Sequence, residues 1–262
     1  MHGVFCTLMT CKSTRVAPPV ICRGALPSST RTSLEYINTS ELPPLSDGET
    51  EVPLVSSVRN LRVIIDSKLT FHQHIAKVSS SVHGVLYKLQ QLREFTDTRL
   101  RRMLASALLL PLLHYCSPVL LGAGAVSDLK LQRLTNKGVR YIHDLPRDAS
   151  ITPHRQSLGW LTVSAGRELA LACMVHSALR GLAPPILSEL LLIHAPSRPR
   201  RGTRASLVVI PKHRTEAYRS SFAVAAPYIW NALPANVADI PTLTAFKPAA
   251  RLWYLSRENP GQ

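Results

Sequence analysis

Within residues 71–92, Ile75, Val78, Val82, Val85, Leu86, Leu89 and Leu92 return at three- and four-residue intervals. His72, Gln73, Lys77, His83, Lys88 and Gln91 fall between them. That repeat follows the 3.6-residue turn rather than a two-residue alternation, so it predicts an amphipathic helix with one buried face. Just before it, Leu61, Val63 and Ile65 predict one face of a strand, Asp66 and Ser67 a turn, and Thr70 a helix cap. A strand feeding a helix is the frame on which the rest of the chain must build.

Further helical patterns follow. Asp97 opens a second helix with Leu100, Met103, Leu104, Ala107 and Leu108 facing inward. Arg99, Arg101 and Arg102 crowd its first turns, where the helix dipole disfavours positive charge and an anionic partner would offset the penalty. A third helix over 127–143 places Leu131, Leu134, Gly138 and Ile142 on one side and Lys130, Arg133, Lys137 and Arg140 on the other. A short helix is predicted over 151–159, and a longer one over 164–179, capped by Ser164 and closed by Gly181. Leu169, Ala172, Cys173, His176 and Leu179 form the longer helix's apolar stripe. Pro184 and Pro185 start another short helix running to Leu191.

Residues 198–219 change character, with Arg198, Arg200, Arg201, Arg204, Lys212, Arg214 and Arg219 against the single acid Glu216. They predict a mobile basic linker in which Leu207, Val208, Val209 and Ile210 could pair as a short strand. Beyond it, Tyr228 and Trp230 are expected to pack, and a final helix over 243–254 carries Phe246, Ala250 and Trp253, with Pro248 arguing against it. Residues 1–53, rich in Ser, Thr and Pro, predict loop or disorder, with candidate short strands at 16–21 and 34–37. The expected fold class is mainly α: a helical bundle with one or two short N-terminal strands, a disordered N-terminal tail and a small C-terminal helical segment. The corresponding divisions are 1–53, a helical region over 54–195, the basic linker over 196–221, and 222–262.

The formal net charge of +15 favours a polyanionic partner, RNA or DNA, met through phosphate contacts. The basic helix faces nominate Lys77, Lys88, Arg99, Arg101, Arg102, Lys130, Arg133, Lys137 and Arg140 as nucleic-acid-binding residues. Five cysteines, Cys6, Cys11, Cys22, Cys116 and Cys173, are an odd number and imply reduced thiols in an intracellular setting, nuclear or cytoplasmic. The gaps separating Cys6, Cys11 and Cys22 match no common zinc pattern. An uncharged run over 103–125 is long enough to span a bilayer and leaves a membrane-associated protein as one alternative. Pro111, His114, Ser117 and Pro118 interrupt it, which favours a buried helix entering an extended segment. No basic segment followed by a long apolar core marks a secretory signal at the start.

The segment from Asn60 to Ile75 resembles a run in non-LTR (LINE-type) retrotransposon reverse transcriptases, matching it at Leu61, Val63, Ile65, Asp66, Leu69, Phe71, His74 and Ile75. Later blocks follow in the order such polymerases show after the palm. They are Leu112-Leu113-His114-Tyr115-Cys116-Ser117-Pro118-Val119, Leu131-Gln132-Arg133, Leu158-Gly159-Trp160-Leu161, Leu179-Arg180-Gly181-Leu182-Ala183-Pro184, and Tyr228-Ile229-Trp230-Asn231-Ala232-Leu233-Pro234 with Thr244-Ala245-Phe246-Lys247. Arg62 stands where the family pattern has glycine. The resemblance implies the thumb and downstream helical extension of an RNA-directed DNA polymerase, a part that grips template and primer while the palm does the chemistry.

Catalysis by such polymerases needs two divalent cations clamped by palm aspartates, two of them adjacent. No two acidic residues are adjacent in this sequence. The expectation is therefore a palm-less remnant that binds nucleic acid without polymerising, or a domesticated nucleic-acid-binding protein on the same scaffold. His72 and His74, two residues apart, fall on different helix faces and do not form a metal pair. No metalloprotease helix motif, glycine-rich phosphate loop or nucleophile elbow occurs, so no catalytic residue, metal, cofactor or small-molecule substrate is assigned. The oligomeric state is left open.

Overall fold

The computed structural model describes residues 45–47, 50–52, 55–194 and 207–258. The chain divides into two units, Met1–Val55 and Ser56–Gln262. In the first, β1 (Leu45–Asp47) and β2 (Thr50–Val52) form an antiparallel hairpin with Leu45 opposite Val52. It corrects the expectation of loop or disorder at those residues; three-residue strands are too short to leave an alternation in the sequence. The candidate strands at 16–21 and 34–37, together with Cys6, Cys11 and Cys22, lie outside the described residues.

The second unit is mainly α-helical. It opens with β3 (Ser57–Asn60) and β4 (Val63–Asp66), antiparallel with Ser57 opposite Asp66 and Asn60 opposite Val63. That register leaves Leu61 and Arg62 as a two-residue turn, with φ of 44° and 67°. Two left-handed residues in succession match the twist of the flanking strands. Leu61 is consequently exposed in the turn rather than aligned with Val63, which is buried.

After β4 the chain enters α1 (His72–Gln91), which buries Ile75, Val82, Leu86 and Leu89 as its spacing predicts. Asp66, not Thr70, organises the entry. Its carboxylate accepts from the Thr70 N–H (3.0 Å), the Thr70 hydroxyl (2.8 Å) and the Phe71 N–H (2.7 Å). The threonine hydroxyl is a donor to that carboxylate, and no side chain caps α1 itself.

Asp97 does cap α2 (Thr98–Leu108), accepting from the Leu100 N–H at 2.7 Å. Its buried face is rotated from the predicted one: Ala105 and the following Leu109 are buried, whereas Leu100, Met103 and Leu108 are exposed. The cause is the contact with α4 (Ala125–His143). There Gly138 admits Leu109 and Trp160 so closely that an added Cβ would lie 3.1 Å from Leu109 Cδ1. Between these helices, α3 (Leu110–His114) and a 3₁₀ segment (Ser117–Gly122) divide the uncharged run into short pieces. Among the described residues no helix is long and apolar enough to cross a membrane.

The chain continues through α5 (Thr152–Ser157) to α6 (Val163–Leu179). α6 is capped by Thr162, whose hydroxyl accepts from the Ala165 N–H at 3.3 Å, rather than by Ser164. Arg180 follows it as the C-cap, and Gly181, φ 68°, turns the chain away. Leu169, Leu171, Ala172, Val175 and Ala178 are buried on several sides of α6, as suits a central helix. α7 (Pro185–Glu189), α8 (Glu216–Arg219), α9 (Phe222–Ala232), α10 (Ala235–Ala238) and α11 (Leu243–Arg257) complete the unit. Both α9 and α11 pack on α6. α11 runs through Pro248 without a break, burying Phe246, Ala250 and Tyr254.

Two apolar clusters result. The first gathers α1, α2 and α4 around Val82, Leu109, Leu131, Ile142 and Trp160, and the second surrounds α6 with Leu161, Trp230, Phe246 and Tyr254. The adjacent residues Trp160 and Leu161 thus serve different clusters. Polar links join them: Gln132 Oε1 accepts from the Val163 N–H at 2.9 Å, Arg167 pairs with Asp128, and Arg155 pairs with Glu258. Val208 forms a bridge with Ile193, and Asn231 holds it from both sides, accepting from its N–H at 3.0 Å and donating to its carbonyl at 2.8 Å. Arg198, Arg200, Arg201 and Arg204 of the basic segment lie outside the described residues.

Candidate nucleic-acid interface

Four of the nominated cations form a basic stripe along one side of α4. At about 100° per residue, Lys130, Arg133, Lys137 and Arg140 fall within roughly 80° of arc and extend about 15 Å along the axis. Leu131, Leu134, Gly138, Val139 and Ile142 are buried on the other side of the helix. Lys130, Arg133 and Lys137 are exposed. The nearby acids are engaged elsewhere: Asp128 with Arg167, and Asp144, which follows α4, with Arg93. Among the described residues no carboxylate pairs with Lys130, Arg133 or Lys137, so their charge faces solvent uncompensated.

α1 runs beside α4 in the same direction, since His83 meets Lys137 and, just beyond the C-terminal ends of both helices, Arg93 meets Asp144. Lys137 Nζ lies 2.9 Å from His83 Nε2, and His83 Nδ1 lies 2.9 Å from the Ser79 carbonyl. A carbonyl oxygen only accepts, so Nδ1 carries the proton and Nε2 accepts from the ammonium. That contact holds Lys137 at the seam between the helices. The sequence pattern puts His83 on the outer face of α1, but its bridge to a residue 54 positions away has no signal there.

The remaining nominated residues divide by environment. Lys77 and Lys88 are exposed, but lie roughly 120–140° around α1 from His83 and face away from the seam. Arg99 and Arg102 are exposed on α2. Arg102 approaches the end of the α4 stripe: the His143 imidazole is held below its ordinary value by burial and by the neighbouring His154 and Arg102. Arg101 turns back, donating to the Arg93 carbonyl at 2.9 Å and to the Thr96 hydroxyl at 3.3 Å. Arg140 likewise donates to the carbonyls of Pro146 (3.3 Å), Arg147 (2.8 Å) and Ala149 (3.5 Å), bracing the loop after α4. These two guanidiniums contribute charge to the surface while their donors hold main chain.

Two aromatic side chains distinguish packing from display. Trp230 is fully buried, as the sequence leads one to expect, whereas Tyr228 is exposed with the His213 ring 6.0 Å away. Tyr87, one turn beyond His83 on α1, is 66% exposed and is not among the residues that the basic sequence pattern singles out. Its four-residue offset from His83 puts the two on one side of α1, but only the tertiary contact of His83 shows where that side lies.

His72 is exposed and His74 buried, as their spacing demands. Burial pushes the Cys173 thiol up to about 11, which leaves it protonated and unreactive at neutral pH. No group of three or more His, Cys, Asp or Glu side chains among the described residues could hold a metal ion. No protein-family model, curated protein or solved structure matches the chain.

Proposed function

We propose that this chain is a nucleic-acid-binding helical module, similar to the thumb and downstream extension of a non-LTR reverse transcriptase and without polymerase activity of its own. The observation that carries the reading is the exposed stripe of Lys130, Arg133 and Lys137 on α4, backed by Arg140 and unneutralised by any described carboxylate. A straight row of cations on a packed helix suits a phosphate backbone, since each contact releases condensed counterions and none requires a particular base. The order of sequence blocks supports the same origin, and the sequence contains no adjacent acids for a two-metal centre.

Fluorescence anisotropy with labelled RNA and DNA across salt concentrations tests the binding. With three or four phosphates engaged, log affinity should fall against log salt with a slope of about −3 on duplex. Lys130→Glu with Arg133→Glu should flatten that slope and weaken binding to every sequence alike. Affinity that is unchanged between low and moderate salt would remove phosphate contact as its source. Primer extension on an RNA template with magnesium or manganese should give no product above background.

A further inference from the structure

Tyr87 is not a core residue that has slipped outward. On the same helix its neighbours Leu86 and Leu89 are buried, while Tyr87 remains 66% exposed. It lies one turn beyond His83, about 40° around α1 from it and about 6 Å along the axis. His83 is the residue that receives Lys137 of the cationic stripe. Six residues beyond Tyr87, Arg93 pairs with Asp144, which follows α4. Tyr87 therefore lies along α1 between His83, which meets Lys137 of α4, and the Arg93–Asp144 pair just beyond the ends of the two helices.

We infer that Tyr87 is a stacking platform for an unpaired nucleobase, and that the α1–α4 face consequently prefers single-stranded nucleic acid to duplex. The inference rests on the cationic-face reading proposed above and adds to it the form of the ligand. Lysines and arginines alone engage the phosphates of either form. An aromatic face next to them adds binding only where a base is free to leave the stack, because a duplex keeps its bases paired and turned inward. Every base has a π face, so this preference is for strandedness rather than sequence. Of the other exposed or large aromatic residues, Trp230 is buried, Tyr228 lies on α9, which packs on α6, and Phe95, 82% exposed, lies beyond the end of α1.

The test compares wild type, Tyr87→Ala and Tyr87→Phe in the full chain. Fluorescein-labelled oligo(dT) and oligo(U) of about 15 nucleotides and a duplex of the same length serve as ligands, each titrated at several salt concentrations. Wild type should bind the single strands more tightly than the duplex. Tyr87→Ala should weaken single-strand binding about 5- to 100-fold and leave duplex affinity within about twofold, whereas Tyr87→Phe, which keeps the ring, should match wild type. All three proteins should keep the same salt slope, because no phosphate contact has been removed. Equal losses on single strand and duplex, or no loss on either, would overturn the stacking role while leaving the cationic face intact. Wild type showing no salt-dependent binding to any of the ligands would overturn both readings.

Discussion

The Tyr115 hydroxyl donates to the Leu61 carbonyl at 2.8 Å, joining two segments 54 residues apart. Tyr115 belongs to the run that closes α3, and Leu61 is the first residue of the left-handed turn between β3 and β4. The bond fastens the hairpin tip to the helical body, so the turn's geometry is held from outside as well as by its own strands.

Arg62, the second residue of that turn, has φ 67°, a conformation that glycine adopts without steric penalty. Arg62→Gly should therefore stabilise the fold by up to about 1 kcal/mol, the relief of left-handed strain being partly offset by the greater freedom of glycine in the unfolded chain. Tyr115→Phe should cost about 0.5–1.5 kcal/mol by deleting the bond that clasps the turn. Denaturant melts measure both. A glycine variant no more stable than wild type would mean that Arg62 makes compensating contacts.

At the other end of β4, burial on its own would raise the Asp66 carboxyl, but hydrogen bonds from Thr70 and Phe71 outweigh it and hold the group below its ordinary 3.8. A carboxyl depressed in the folded state stabilises above its unfolded pKa, and that contribution is lost as pH falls through the folded value. Asp66→Ala should be the less stable protein at neutral pH by about 1 kcal/mol, with the gap closing below about pH 4. A gap that stays constant down to strong acid would separate the effect from the carboxylate's charge.

His176 should make the second cluster sensitive to mild acid. Its Nε2 donates to the Ile240 carbonyl at 2.8 Å, its ring stacks 4.4 Å from Phe246, and its Nδ1 is buried without a partner. Burial lowers its pKa, the Ile240 carbonyl works against that, and Arg180 adds to it. Because the neutral form is favoured on folding, the contribution is complete above the ordinary 6.5 and declines as pH drops below it. Tm should thus fall between about pH 7 and 5, and His176→Leu should shallow that fall. His74 and His143, also lowered chiefly by burial, account for part of the remaining slope. An identical pH profile in the variant would assign the whole effect to other groups.

Leu86 and Lys88 test the amphipathic assignment of α1 directly. Leu86 is buried in the first cluster and Lys88 is exposed. Leu86→Ala should cost about 2–5 kcal/mol, and Lys88→Ala no more than about 0.5. Equal small effects in urea would show that this face is not packed.

The sequence by itself determined what repeats along the chain. The periodic apolar residues of α1 and α4 announce their helices because burial on one face leaves a 3.6-residue imprint, and the cations of α4 read as a stripe for the same reason. Asp97 was legible as a cap because its bond is local. Only tertiary structure decided the inner face of α2, since Leu109 could turn inward only where Gly138 of another helix made room. It alone engaged Arg101 and Arg140 with main-chain carbonyls, brought Lys137 to His83, and clamped Val208 with Asn231. Those contacts join residues by angle and distance in three dimensions. Hydrophobic periodicity records which side of a helix is dry, but not which neighbour makes it so.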